Sequence, residues 1–159
     1  MMEIFIFSYL IIFRVEQMDN NKKIVIYPLM EHNYELLKTR INPVYIKFIA
    51  REPKKKSIKP QNIDCIYFYL SRHDKSIIGF SSIKTIKYIK PCDIENALLS
   101  RIQMTNDEFN KYCKDRENKS LVTLELEKII DLNPPLKLKS ALTMNGLLLK
   151  SSELTKYII

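Results

Sequence analysis

Three sets of residues in this chain have types and spacings that could do chemistry. In the first, Glu31 and Glu35 stand one helical turn apart, with Lys38 and Thr39 just beyond them. Paired carboxylates can divide acid and base roles, and a buried lysine can deprotonate a water. The same spacing is also the ordinary outer face of an amphipathic helix, and that is the weightier reading. The second set is Cys65, Cys92 and Cys113 with His32 and His73. No CxxC pair occurs and neither histidine sits at ligand spacing, so no metal centre and no disulfide framework is expected. Cys65 in a strand-like run and Cys113 on an apolar helix face read as core thiols. A reduced, cytoplasmic setting fits them best. The third set is Tyr45, Tyr67, Tyr69 and Tyr88 on predicted strands, near Lys47, Arg51, Lys84, Lys87 and the run Lys54-Lys55-Lys56. Flat aromatics offer faces to unpaired bases, and lysines follow phosphates. Strand tyrosines are also favoured by β packing alone.

Composition narrows the classes. The chain has 159 residues and only two glycines, Gly79 and Gly146, so neither GxxxxGK[ST], GxGxxG nor the GxSxG elbow can be written. Lys and Arg number 26 against 18 Asp and Glu, a formal net charge of +8, and the isoelectric point is near 9.3. That balance favours a polyanion such as RNA, DNA or a nucleotide, although many lysine-rich proteins are basic only for solubility. No cofactor is implied. Hydrophobic residues at 46% and charged residues at 28% describe a globular chain rather than a disordered one.

The elements that must position these residues follow from periodicity. Lys23 to Tyr27 is a short strand, and Pro28 opens a helix with Met30, Tyr34, Leu37 and Ile41 on its apolar stripe. Val44 to Phe48 and Ile63 to Leu70 are strands, separated by a basic, proline-bounded loop. A turn at Ser71 to Lys75 leads to a β-rich run from Ser76 to Ile89, where Gly79 marks a bulge or a close backbone approach. Pro91 to Arg101 holds a helix. Thr105 and Glu108 have capping-box spacing, with Met104 and Phe109 as the staple of the helix that follows. Val122, Leu124 and Leu126 alternate with Thr123, Glu125 and Glu127 in a strand that Pro134-Pro135 terminates. Leu147 to Leu149 adds a closing strand and Ser152 to Ile159 a last helical turn. The apolar run Ile4 to Phe13 is too short to span a membrane. It is either an added packed element or part of an upstream extension, residues 1–17, that precedes a natural start at Met18. The second is favoured, because the domain pattern begins at Lys23. The expectation is one domain over residues 18–159. Its class is α+β, with five or six mostly antiparallel strands in a small curved sheet or barrel and about three flanking helices.

In this order the chain resembles the ASCH branch of the PUA-like superfamily, and more narrowly a small archaeal family of unassigned function. The resemblance runs over about Lys23 to Gly146. It is carried by Leu36-Leu37, Pro43-Val44-Tyr45-Ile46-Lys47-Phe48, Ile66-Tyr67-Phe68-Tyr69-Leu70-Ser71, Ile77-Ile78-Gly79-Phe80, the stretch from Met104 to Tyr112, Val122 to Leu126, and Asn133-Pro134-Pro135. It implies a β-barrel with a cleft beside the first helix, and binding of RNA or a modified nucleotide. Lys38, Arg40, Tyr45, Lys47, Tyr69, Ser71 and Arg72 would line that cleft. The basic residues would meet phosphate, the tyrosines would stack, and Ser71 would bond a base edge. Some relatives are amidohydrolases of acetylated cytidine with a GxKxxExR-like signature. Here the glycine is missing, no glutamate follows the strand start, and Lys47 stands near the arginine position. The alternatives are therefore a small amidohydrolase of an acylated nucleoside and a ligand-free protein-interaction module.

Overall fold

The computed structural model describes residues 21–48, 62–70 and 75–159. The expectations placed on residues 1–17, on the Lys54-Lys55-Lys56 loop and on Ser71, Arg72 and His73 fall outside them. The strands are β1 (Lys23–Pro28), β2 (Val44–Phe48), β3 (Cys65–Leu70), β4 (Ser76–Ile89), β5 (Leu121–Leu126), β6 (Ile130–Lys137) and β7 (Leu147–Lys150). The helices are α1 (Glu31–Thr39), α2 (Asn96–Leu99) and α3 (Asn106–Cys113), with 3-10 turns at Pro91–Asp93 and Ser151–Lys156. Strand order is β2-β5-β4-β3-β1-β7, with β6 also pairing β4.

This is the expected α+β class, but the sheet has seven strands rather than five or six. It is not a closed barrel: among the described residues β2 and β7 lie at the two ends of the order. The extra strand is β6. Pro134 and Pro135 were expected to stop a strand, yet they sit inside β6. Its register against β4 breaks there, with Ile77 opposite Leu136 and Gly79 opposite Asp131. Residues 132–135 thus oppose Ile78 alone, and proline is tolerated where no ladder donor is needed. The bulge expected at Gly79 is this shift.

The fold divides into two compact units. The first takes Met1–Leu29, Ile63–Phe80 and Ile130–Ile159; the second takes Met30–Asn62 and Ser81–Ile129. In the first unit, β1 and β3 run parallel with Ile24 opposite Cys65 and Pro28 opposite Tyr69. β7 adds antiparallel to β1. Both faces of β1 and β3 are apolar because both are covered, as parallel strands require. Ile24, Ile26, Cys65, Tyr67, Tyr69, Ile77 and Leu154 form one core. The turn before β7 closes with the Gly146 N–H donating to the Thr143 carbonyl at 3.0 Å. Gly146 has φ 75, and a methyl there would meet the Ile26 carbonyl oxygen and lie 2.6 Å from the Tyr27 ring. Only glycine suits both demands.

In the second unit, β2, β5 and the later half of β4 make an antiparallel sheet. One of its faces supplies Val44, Ile46 and Leu121 to a core with Ile102, Met104, Phe109 and Cys113. α3 starts with the capping box read from the sequence: Glu108 N–H to Thr105 Oγ1 at 3.3 Å, Thr105 N–H to Glu108 Oε2 at 2.8 Å. α1 departs from expectation. It begins at Glu31, so Pro28 ends β1 instead of opening the helix. Tyr34 and Leu37 are buried, but Met30 and Ile41 flank the helix and are exposed. The helix expected across Pro91 to Arg101 is a 3-10 turn followed by the four-residue α2.

Candidate nucleic-acid interface

The basic charge is uneven along the chain. The second unit holds 17 of the 26 Lys and Arg and 11 of the 18 Asp and Glu. Among the described residues, its sheet carries Lys47, Lys84 and Lys87. Lys47 on β2 lies opposite Val122 on β5, and Val122 lies opposite Tyr88 on β4. Residues directly opposite share a face, so Lys47 and Tyr88 project to the same side, two strand spacings or about 10 Å apart. Val122 between them is buried, Lys47 is half-buried, and Tyr88 is 36% exposed. Burial lowers the Lys47 pKa, because its ammonium has lost hydration. Lys84 is the extra residue at the second irregularity of β4, between Ile83 and Thr85. It reaches Glu127 at 3.6 Å.

The edge of this sheet is finished by two side chains and one backbone carbonyl. The Ile46 N–H donates to Gln103 Oε1 at 3.0 Å, and Gln103 Nε2 donates back to the Ile46 carbonyl at 2.7 Å. On either side, the Val44 N–H donates to the Arg101 carbonyl at 2.9 Å and the Phe48 N–H to the Tyr112 hydroxyl at 3.1 Å. Arg116 lies over the Phe48 and Tyr112 rings at 5.4 and 5.8 Å. Arg101 clamps the other end. Its Nε donates to the Asn42 carbonyl at 2.7 Å, and its Nη2 pairs with Glu125, which also accepts from Thr85 at 3.1 Å. Asn42 has φ 49, a left-handed geometry that asparagine tolerates. The bond from Arg101, then those from Thr85 and the nearby cations, hold the Glu125 carboxyl below its usual range despite some desolvation.

The remaining expected site residues are placed as follows. Lys38 sits in the last turn of α1, with Nζ 3.1 Å from Glu35 Oε1 and 4.9 Å from the centre of the Tyr34 ring. Glu35 is largely exposed, which makes this a helix-surface ion pair. Arg40 donates to the Ile102 carbonyl at 3.1 Å and the Met104 carbonyl at 3.5 Å, so it braces the chain between α2 and α3. Tyr45 is 3% exposed and Tyr69, in the first unit, is 0% exposed, so neither turns a ring face to solvent in this state. Cys65 and Cys113 are buried, and burial pushes the Cys113 thiol up, away from a nucleophile's range. Among the described residues no group of His, Cys, Asp or Glu could hold a metal ion. None of the helices described is long and apolar enough to cross a membrane. Gln103 and Arg101 carried no sequence signal, since their roles depend on which strand they face. Tyr88 showed as a strand tyrosine, but only the register aligns it with Lys47.

The mixed sheet, with a helix after its first strand and a capped helix before β5, is similar in fold to an ASCH protein. A serine-to-alanine variant of ZmASCH from Zymomonas mobilis superposes with a TM-score of 0.62 at 14% identity, covering 87% of this chain and 96% of that one. ASCH from Zymomonas mobilis gives 0.58 at 14% identity, covering 89% and 98%. The sequence over residues 22–151 matches the family described as "Domain of unknown function (DUF365)", and the chain belongs to that family. Comparison with curated proteins finds no match.

Proposed function

We propose that this protein binds RNA or a modified nucleotide, with the Lys47–Tyr88 row of the second unit as its principal contact. The observation that supports this reading is the register itself. It sets a half-buried lysine and an exposed tyrosine on one face, in the unit that carries most of the excess positive charge. Burial has already removed part of the water around Lys47, so a phosphate that approaches it meets a smaller added desolvation cost. Tyr88 supplies the flat surface on which a base stacks. Lys38 and Arg40, in the same unit, extend the proposed contact set. Glu35, the carboxylate paired with Lys38, is largely exposed, and this favours binding over hydrolysis of an acylated nucleoside. Titration of a labelled RNA at several salt concentrations tests the proposal. Affinity should fall linearly on a log–log plot as salt rises. Absence of binding at low salt, together with turnover of an acylated cytidine, would replace it with the hydrolase.

A further inference from the structure

Tyr69 carries a hydroxyl that meets no hydrogen-bonding partner among the described residues. The side chain is fully buried and packs with Ile24, Ile26, Tyr67 and Ile77 in the core of the first unit. Phenylalanine would fill the same space without the hydroxyl, whose desolvation costs about 1–3 kcal/mol when unmet. Buried polar atoms of this kind are rare enough in folded proteins to call for a reason.

Its position in the fold supplies one. Tyr69 is the next-to-last residue of β3 and stands opposite Pro28, the last residue of β1. Just beyond, the Leu29 N–H closes the pair on the Tyr69 carbonyl at 2.9 Å. β1 and β3 are parallel, so their carboxyl ends lie together at one end of the pair, beside Tyr69. Strand ends also open at lower free energy than strand centres, which gives a ligand access to a hydroxyl that is covered in the closed state.

We propose that the carboxyl ends of β1 and β3 form a small-molecule site with the Tyr69 hydroxyl as its polar anchor. The buried neighbours are apolar, so a carboxylate or phosphate would lose its hydration with no cation to replace it. An uncharged acceptor, a carbonyl or a ring nitrogen, costs far less to bury and completes the hydroxyl. Tyr67 and Phe80, on the same core, lie stacked with ring centres 5.4 Å apart and planes 19° from parallel. The ligand is therefore a small, mostly apolar molecule with one neutral acceptor. This site needs no phosphate and lies in the other unit from Lys47 and Tyr88, so it stands or falls separately from the RNA reading.

Three probes of one shape separate the chemistry: benzamide (neutral acceptor), benzoate (charged) and toluene (no acceptor). Ligand-observed NMR on the full chain should show saturable binding of benzamide, tighter than of benzoate or toluene. Tyr69→Phe should bring benzamide level with toluene, a loss of about fivefold or more for one hydrogen bond, while Tm stays the same or rises. Equal benzamide affinity in both proteins, benzoate binding as tightly as benzamide, or no benzamide binding by the unaltered chain would each overturn the proposal. So would a lower Tm in Tyr69→Phe, since it would mean that the hydroxyl is already bonded in the free protein.

Discussion

Gln103 stands in for a missing strand beside Ile46. Its side-chain amide exchanges two hydrogen bonds with the Ile46 backbone, at 3.0 and 2.7 Å, as a neighbouring strand would. Both residues are buried, Gln103 at 3% and Ile46 at 1% exposure. An open strand edge is thereby closed without a further strand, which removes a template for edge-to-edge association. It also explains why β2 can end the strand order although its backbone is buried.

Truncating that amide should be costly. Gln103→Ala leaves the Ile46 N–H and carbonyl unmet in a dry setting, and the expected loss is about 2–3 kcal/mol in urea unfolding at neutral pH. Gln103→Glu separates hydrogen bonding from size. The ionised carboxylate can accept from the Ile46 N–H but cannot donate to its carbonyl, and burial raises its pKa. The variant should therefore regain stability as pH falls through that raised value, because the protonated acid donates again. A Gln103→Glu midpoint that declines on acidification as fast as the parent's would show that the second bond contributes nothing.

Acid sensitivity of the unaltered protein should run the other way. The Glu108 carboxyl is held low first by the Thr105 backbone N–H and then by His32, 2.7 Å away. Glu125 is held low first by Arg101. A carboxyl whose folded pKa lies below its unfolded value stabilises the fold above the unfolded value, and that contribution disappears as pH falls through the folded one. Stability should thus decline below about pH 4, the range of unperturbed carboxyls. Glu125→Gln, which keeps an acceptor and removes the titration, should flatten that decline when Tm is followed from pH 6 to 3.

The capping box makes a local stability prediction. Thr105→Ala should cost about 1 kcal/mol by removing the cap on α3, and Phe109→Ala about 3 kcal/mol, since Phe109 is buried in the core that α3 closes. Urea midpoints of the two variants at equal m-value check both. An unchanged midpoint for Thr105→Ala would mean that solvent caps the helix equally well.

These elements also mark how far the sequence could be read. The α3 cap, the core thiols Cys65 and Cys113 and the Gly79 bulge are local patterns, set by neighbours in the chain. The alternation of β5, by contrast, does not give a wet face, because Thr123 is buried and Leu121 joins the α3 core. β6 was hidden because prolines suit an irregular strand as well as a loop, and only its pairing with β4 tells them apart. Met30 and Ile41 share a helical period with Tyr34 and Leu37, yet the helix is shorter than the period. Gln103 and Arg101 gain their roles from long-range register, which no periodicity encodes. The same holds for the candidate interface. Lys47 and Tyr88 are 41 positions apart in the sequence and become a pair only through β5.

That pair makes the functional prediction. Lys47→Ala should weaken binding of a single-stranded RNA and reduce the slope of log affinity against log salt by roughly one phosphate contact. Tyr88→Ala should cost about 1–3 kcal/mol of binding with the slope unchanged, because stacking releases no counterions. Tyr88→Phe should keep most of the affinity, since the ring face and not the hydroxyl does the stacking. Fluorescence anisotropy at four or more salt concentrations gives affinity and slope from the same titrations. If the RNA binds but both alanine variants match the parent in affinity and slope, the contact lies elsewhere on the chain. If Tyr88→Ala alters the slope as Lys47→Ala does, its effect comes through Lys47 rather than through a stacked base.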